Sequence, residues 1–104
     1  MDKALINANL KTFLSDNKLK SYPAKHKMKV LALMFLADKF DVTRVYTQTE
    51  VNDVLIEICC FPDYATVRRE LCDFGFLLRD AYGKEYRVAE SEPTFPDLFP
   101  DFYH

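Results

Sequence analysis

A chain of 104 residues with nine Phe, six Tyr and only two Gly carries material for one hydrophobic core, and is neither disordered nor low-complexity. Three cysteines, an odd number with Cys59 and Cys60 adjacent, do not make a disulfide framework, so a cytoplasmic setting is expected. The net charge of −2 argues against a strongly basic nucleic-acid binder, and the longest apolar run, Val30 to Ala37, is too short to cross a bilayer, so no membrane partner is expected.

Met1-Asp2-Lys3 is not followed by the apolar core of a secretory signal. The first predicted element is a helix over Asp2 to Leu14, with Ile6, Leu10, Phe13 and Leu14 on one stripe and Ser15-Asp16-Asn17 closing it. Ser21 is placed to cap a second helix with Pro23 in its first turn, running to about Lys39. Its Val30 to Ala37 stretch is apolar nearly all round, which suits the middle of a core. Arg44 to Tyr46 is rich in β-formers and predicts a short strand.

Thr47-Gln48-Thr49-Glu50 is a capping box, followed by Val51, Val54, Leu55, Ile58 and Cys59 at helical spacing. Phe61-Pro62 breaks that helix. Asp63 opens the next, which buries Tyr64, Val67, Leu71 and Phe74 and stops at Gly75. Phe76 to Asp80 and Glu85 to Val88 form a hairpin through Ala81-Tyr82-Gly83-Lys84. Three prolines then exclude regular helix from Ser91 to His104, which reads as an extended tail.

The expected fold is mainly α with a small β-hairpin: a winged helix-turn-helix-like single domain with an N-terminal helix and an extended C-terminal tail. Its parts are an N-terminal helix over 1–16, a winged-helix-like domain over 17–88, and an acidic, aromatic, proline-containing tail over 89–104. Charge is unevenly spread. Asn17 to Ala37 holds five Lys and no acid, whereas Glu90, Glu92, Asp97 and Asp101 have no Lys or Arg beside them. Between Asn17 and Val88, 12 basic residues face 10 acidic ones.

Wound at about 100° per residue, the Asp63–Gly75 helix turns Ala65, Thr66, Arg69, Cys72 and Asp73 outward, with Arg68 and Glu70 on opposite flanks. Thr66, Arg68 and Arg69 are therefore candidates for a DNA groove. Lys84 and Arg87 of the hairpin and Lys25 and Lys27 of the central helix are candidates for backbone contact. The plainer alternatives are an Arg69–Asp73 pair at i,i+4, a structural role for Arg68 against Asp63 or backbone carbonyls, a solvated lysine face, and Arg79 or Arg87 paired across the hairpin with Asp80 or Glu85. Glu70 and Asp73 oppose groove binding, since both would approach phosphates. In the tail, Phe95, Leu98, Phe99, Phe102 and Tyr103 are expected to dock on this domain or on a second copy. No catalytic arrangement, metal-ligand spacing or cofactor motif appears, so no enzyme, metal or cofactor is expected, and Cys59 reads as a core residue.

Lys20-Ser21-Tyr22-Pro23-Ala24-Lys25, Leu36-Ala37-Asp38-Lys39-Phe40, Tyr46-Thr47 with Glu50-Val51-Asn52, Asp63 through Leu71, and Gly83 through Val88 together resemble a bacterial family catalogued as domain of unknown function 2087. The resemblance implies a regulatory setting, because members occur alone or fused behind a helix-turn-helix DNA-binding domain. It implies no activity. Two functions follow as expectations: a transcriptional regulator binding duplex DNA, or a protein- or ligand-binding module acting on a transcription regulator. A homodimer is a further candidate partner.

Overall fold

The computed structural model describes residues 3–89. The 90–104 segment, with its docking candidates Phe95, Leu98, Phe99, Phe102 and Tyr103, lies outside the described residues. The chain folds mainly as helices: α1 (Lys3–Asn9), α2 (His26–Ala37), α3 (Gln48–Ile58) and α4 (Tyr64–Asp73). Two antiparallel strand pairs complete it, β1 (Leu14–Ser15) with β2 (Lys18–Leu19), and β3 (Leu77–Arg79) with β4 (Tyr86–Val88).

α2 is the axis of the core. All eight residues from Val30 to Ala37 are buried, as an all-round apolar helix requires, and α1 and α4 pack against it. Each fully buried Leu there contributes about 1.5–3 kcal/mol from removal of its apolar surface from water.

The expected first helix is shorter than its stripe. α1 ends at Asn9, a 3-10 turn covers Lys11–Phe13, and Leu14 enters β1. Asp16 and Asn17, expected to stop a helix, instead form a two-residue hairpin loop with φ of 52° and 63°. Both central residues of such a turn need positive φ, which Asp and Asn tolerate. The apolar assignments survive the change: Ile6 and Leu10 are buried, and Phe13 and Leu14 pack on the core.

α2 likewise begins at His26, with Lys25 at the cap position, and not at Ser21. Tertiary contacts displace the start. Pro23 is buried, and Tyr22 stacks on Phe61 with ring centroids 5.9 Å apart. A helix begun at Ser21 would compete with both placements.

Thr47 and Glu50 form the expected box: Thr47 Oγ1 accepts from Glu50 N at 3.1 Å and Glu50 Oε1 from Thr47 N at 2.9 Å. These bonds, with Arg44 beside Glu50, hold its carboxyl below the usual range. Asp63 stands at the cap of α4, but its side chain makes no cap bond. Its φ and ψ of −82° and 33° lie outside the extended region in which a cap side chain reaches back to the helix. At the other end, Gly75 has φ 83°, Phe76 N donates to Leu71 O at 2.9 Å and Gly75 N to Cys72 O at 3.1 Å. This pair of bonds is a Schellman closure, with buried Leu71 and Phe76 as its apolar contact.

The predicted strand at Arg44–Tyr46 reduces to one bridge. Tyr46 and Tyr86 exchange both backbone hydrogen bonds at 2.7 Å, so β4 lies between Tyr46 and β3. Leu19 makes a second, parallel bridge to Cys59, tying the first hairpin to the end of α3.

Candidate nucleic-acid interface

The two flanks of α4 are held by different partners. On one flank, Glu70 Oε1 accepts the Tyr22 hydroxyl at 3.2 Å, and Glu70 Oε2 lies 3.4 Å from Lys29 Nζ. Lys29 Nζ also sits 5.5 Å from the centroid of the Tyr22 ring. Burial first, then the Glu70 charge and hydrogen bond, raise the Tyr22 phenol well above its ordinary range. His26 packs on Phe74 one turn further along, with centroids 5.6 Å apart. Glu70, expected to repel phosphates, is instead turned toward α2 and matched by a lysine. Lys29 is thereby drawn to the α4 flank and away from open solvent.

On the other flank, Arg68 is half-buried and its Nη1 donates to Asn52 Oδ1 of α3. Arg68 thus has the structural role weighed for it, with Asn52 as partner in place of Asp63 or a carbonyl. Cys72, one turn on, is half-buried, and burial raises its thiol. Both Arg68 and Arg79 oppose that rise, and β3, which carries Arg79, packs against α4.

Between the flanks, Ala65, Thr66 and Arg69 are exposed. Arg69 makes no hydrogen bond or ion pair with another described residue, so the i,i+4 pair with Asp73 is not formed. Arg79 and Arg87 likewise do not pair across the hairpin. The hairpin loop is braced from within: Asp80 Oδ1 accepts Lys84 N at 2.7 Å and Glu85 N at 3.3 Å, and Gly83 takes φ 67°. Those bonds, led by that from Lys84, lower the Asp80 carboxyl below its usual value. Lys84 and Arg87 themselves are exposed.

Thr66 and Arg69 are exposed on the outward side of α4, and Arg79 is exposed on β3, which packs against that helix. Lys25 and Lys27 are exposed at the start of α2, which meets α4 through the Glu70–Phe74 flank, away from the side carrying Arg69. Asn52 was missed as the partner of Arg68, and Arg79 was read only as a cross-hairpin partner. Asn52 stood within the Glu50-Val51-Asn52 segment of the family resemblance, where its partner could not be named.

Five of the 16 acids, namely Asp2, Glu90, Glu92, Asp97 and Asp101, fall outside residues 3–89, while all 14 basic residues fall within. The described part therefore carries 14 basic and 11 acidic residues, an excess of three positive charges. Among the described residues no group of three or more His, Cys, Asp or Glu could hold a metal ion, and no helix is long and apolar enough to cross a membrane.

The chain belongs to the family described as an uncharacterized protein conserved in bacteria, domain of unknown function 2087, whose profile matches residues 18–88. No curated protein and no solved structure matches the chain.

Proposed function

We propose that this chain is a transcriptional regulator or regulator-associated domain that binds duplex DNA as a winged helix-turn-helix. In this reading α3 and α4 are the helix-turn-helix, β3 and β4 the wing, and Tyr46 the remnant of the first strand. Arg69 is the observation that carries it: an exposed arginine on the outward side of α4, with no hydrogen-bond or ion-pair partner among the described residues. Thr66 and Ala65, small and one turn earlier, leave room for the helix to approach base edges. Lys84 and Arg87 lie on the hairpin for phosphate contact, and Arg68 fixes α4 against α3 through Asn52.

Titration onto duplex DNA at increasing salt tests the reading. Each lost phosphate contact removes about 0.9 from the slope of log affinity against log salt, so Arg79→Ala and Lys84→Ala each flatten it by roughly that amount. Arg69→Ala lowers affinity by about 1–3 kcal/mol and relaxes sequence preference if it reads a base. No binding at low salt overturns the proposal. The whole-chain charge of −2 favours a second reading, a module that binds a transcription regulator or ligand without touching DNA. That reading predicts no affinity for DNA at any salt and retained association with such a regulator.

A further inference from the structure

The loop that joins β3 to β4 is braced from within and carries one large side chain into solvent. Asp80 Oδ1 accepts from Lys84 N and Glu85 N, Gly83 N donates to Asp80 O at 3.1 Å, and Asp80 N donates to Glu85 O at 3.0 Å. The N–H groups of Tyr82 and Gly83 also favour the charged form of the Asp80 carboxylate. Tyr82 stands in the middle of this bracing and is 84% exposed, with no hydrogen bond, ring contact or cation contact to another described residue. Its ring therefore adds nothing to the core. Charge does not recommend the tip to a phosphate, since Asp80 and Glu85 accompany Lys84. What the loop offers a partner is an aromatic ring on a backbone already ordered.

We propose that Tyr82 stacks on an unpaired base of DNA, so that the domain prefers DNA with a mismatch or a short bubble beside its duplex contact. This rests on the reading of α4 as a duplex-binding helix and goes beyond it. β3 packs against α4, so a duplex along the outward side of that helix passes beside the hairpin. Every base has a π-face, and stacking it on an aromatic side chain needs no charge and no particular sequence. A base inside an intact duplex is already stacked on its neighbours, and a side chain wedged between them must first separate them. An unpaired base lacks most of that cost. The ordered loop also limits the entropy lost on contact, since only the two χ angles of the Tyr remain to be fixed.

The test compares affinities, by fluorescence anisotropy at low salt, for a labelled duplex and for the same duplex carrying a short mismatch bubble. Stacking predicts roughly tenfold tighter binding of the bubble. Tyr82→Ala removes that preference without changing the salt slope, whereas Tyr82→Phe keeps it within about twofold. Asp80→Ala, which frees the loop and leaves the ring, loses part of it. The chain contains no Trp, so Tyr82→Trp reports on the tip alone, and its emission is quenched by the bubble and not by the intact duplex. Three results overturn the proposal: equal affinity for the two DNAs, a preference that survives Tyr82→Ala (as for a tip that serves a protein partner), or a loss in Tyr82→Phe as large as that in Tyr82→Ala, which would assign the contact to the hydroxyl. Binding to the intact duplex with no bubble preference leaves the reading of α4 standing, and binding to neither DNA removes both.

Discussion

Replacing Glu70 by Ala tests how α4 is held against the N-terminal part of the domain. Glu70 accepts the half-buried Tyr22 hydroxyl and pairs with Lys29, across 48 and 41 residues of sequence. A hydrogen bond to a charged acceptor contributes about 1.5–3 kcal/mol, and its loss leaves the Tyr22 hydroxyl without a partner. The Lys29 pair is part-exposed, with side chains 26% and 18% accessible, and adds at most about 1 kcal/mol. Glu70→Ala is therefore expected to cost about 2–3 kcal/mol. Tyr22→Phe keeps the ring on Phe61 and costs about 1–1.5 kcal/mol. Urea denaturation of both single variants and the double variant gives the coupling, expected near 1 kcal/mol because the two changes remove one shared bond. Additivity within about 0.3 kcal/mol, or a Glu70→Ala cost below about 0.5 kcal/mol, would show that the bond does not fasten the helix.

Two further outcomes follow from local chemistry. Thr47→Ala removes the α3 cap and is expected to cost about 1 kcal/mol, seen as a lower urea midpoint with unchanged m-value, whereas Asp63→Ala should cost clearly less because Asp63 makes no cap bond. Cys60 is exposed and Cys59 buried, so a neutral alkylating reagent should modify Cys60 in the native protein and reach Cys59 only after unfolding, as peptide mass mapping would report. Burial, and secondarily Cys60, push the Cys59 thiol up to about 12 from an ordinary 9. The native state thus favours the protonated form. Its contribution is complete below pH 9 and is lost as pH rises from 9 toward 12, a loss that a Cys59→Ala variant should show in reduced form, because the raised Cys72 thiol and Tyr22 phenol act in the same direction.

What could be read in advance was local. The capping box, Gly75 with its positive φ, and the inward Val67 and Leu71 each depend on neighbours within a few positions. The first hairpin was hidden because Ile6, Leu10, Phe13 and Leu14 fit a helical stripe as well as they fit a helix followed by a strand. Only the pair of positive φ values at Asp16 and Asn17 distinguishes the two. The start of α2 was misplaced because Tyr22 and Pro23 are fixed by residues far along the chain. At the candidate interface, Thr66 and Arg69 lie where helical periodicity put them. The partners that sort two of the remaining charges, Asn52 for Arg68 and Lys29 for Glu70, arise only from packing.

Eight consecutive buried residues in α2 have a consequence for how the molecule opens. A helix wetted on one side can lend its amides to exchange by fraying or by the departure of a single neighbour. Val30 to Ala37 has no such side: α1 covers one aspect and α4 another. Detaching either would bare apolar surface that nothing else conceals, so partial opening is nearly as unfavourable as complete unfolding. Amide deuteration along α2 should therefore proceed in one cooperative step, at a rate set by the global unfolding equilibrium. The hairpin loop from Ala81 to Lys84, exposed and tethered chiefly by Asp80, should exchange without reference to it.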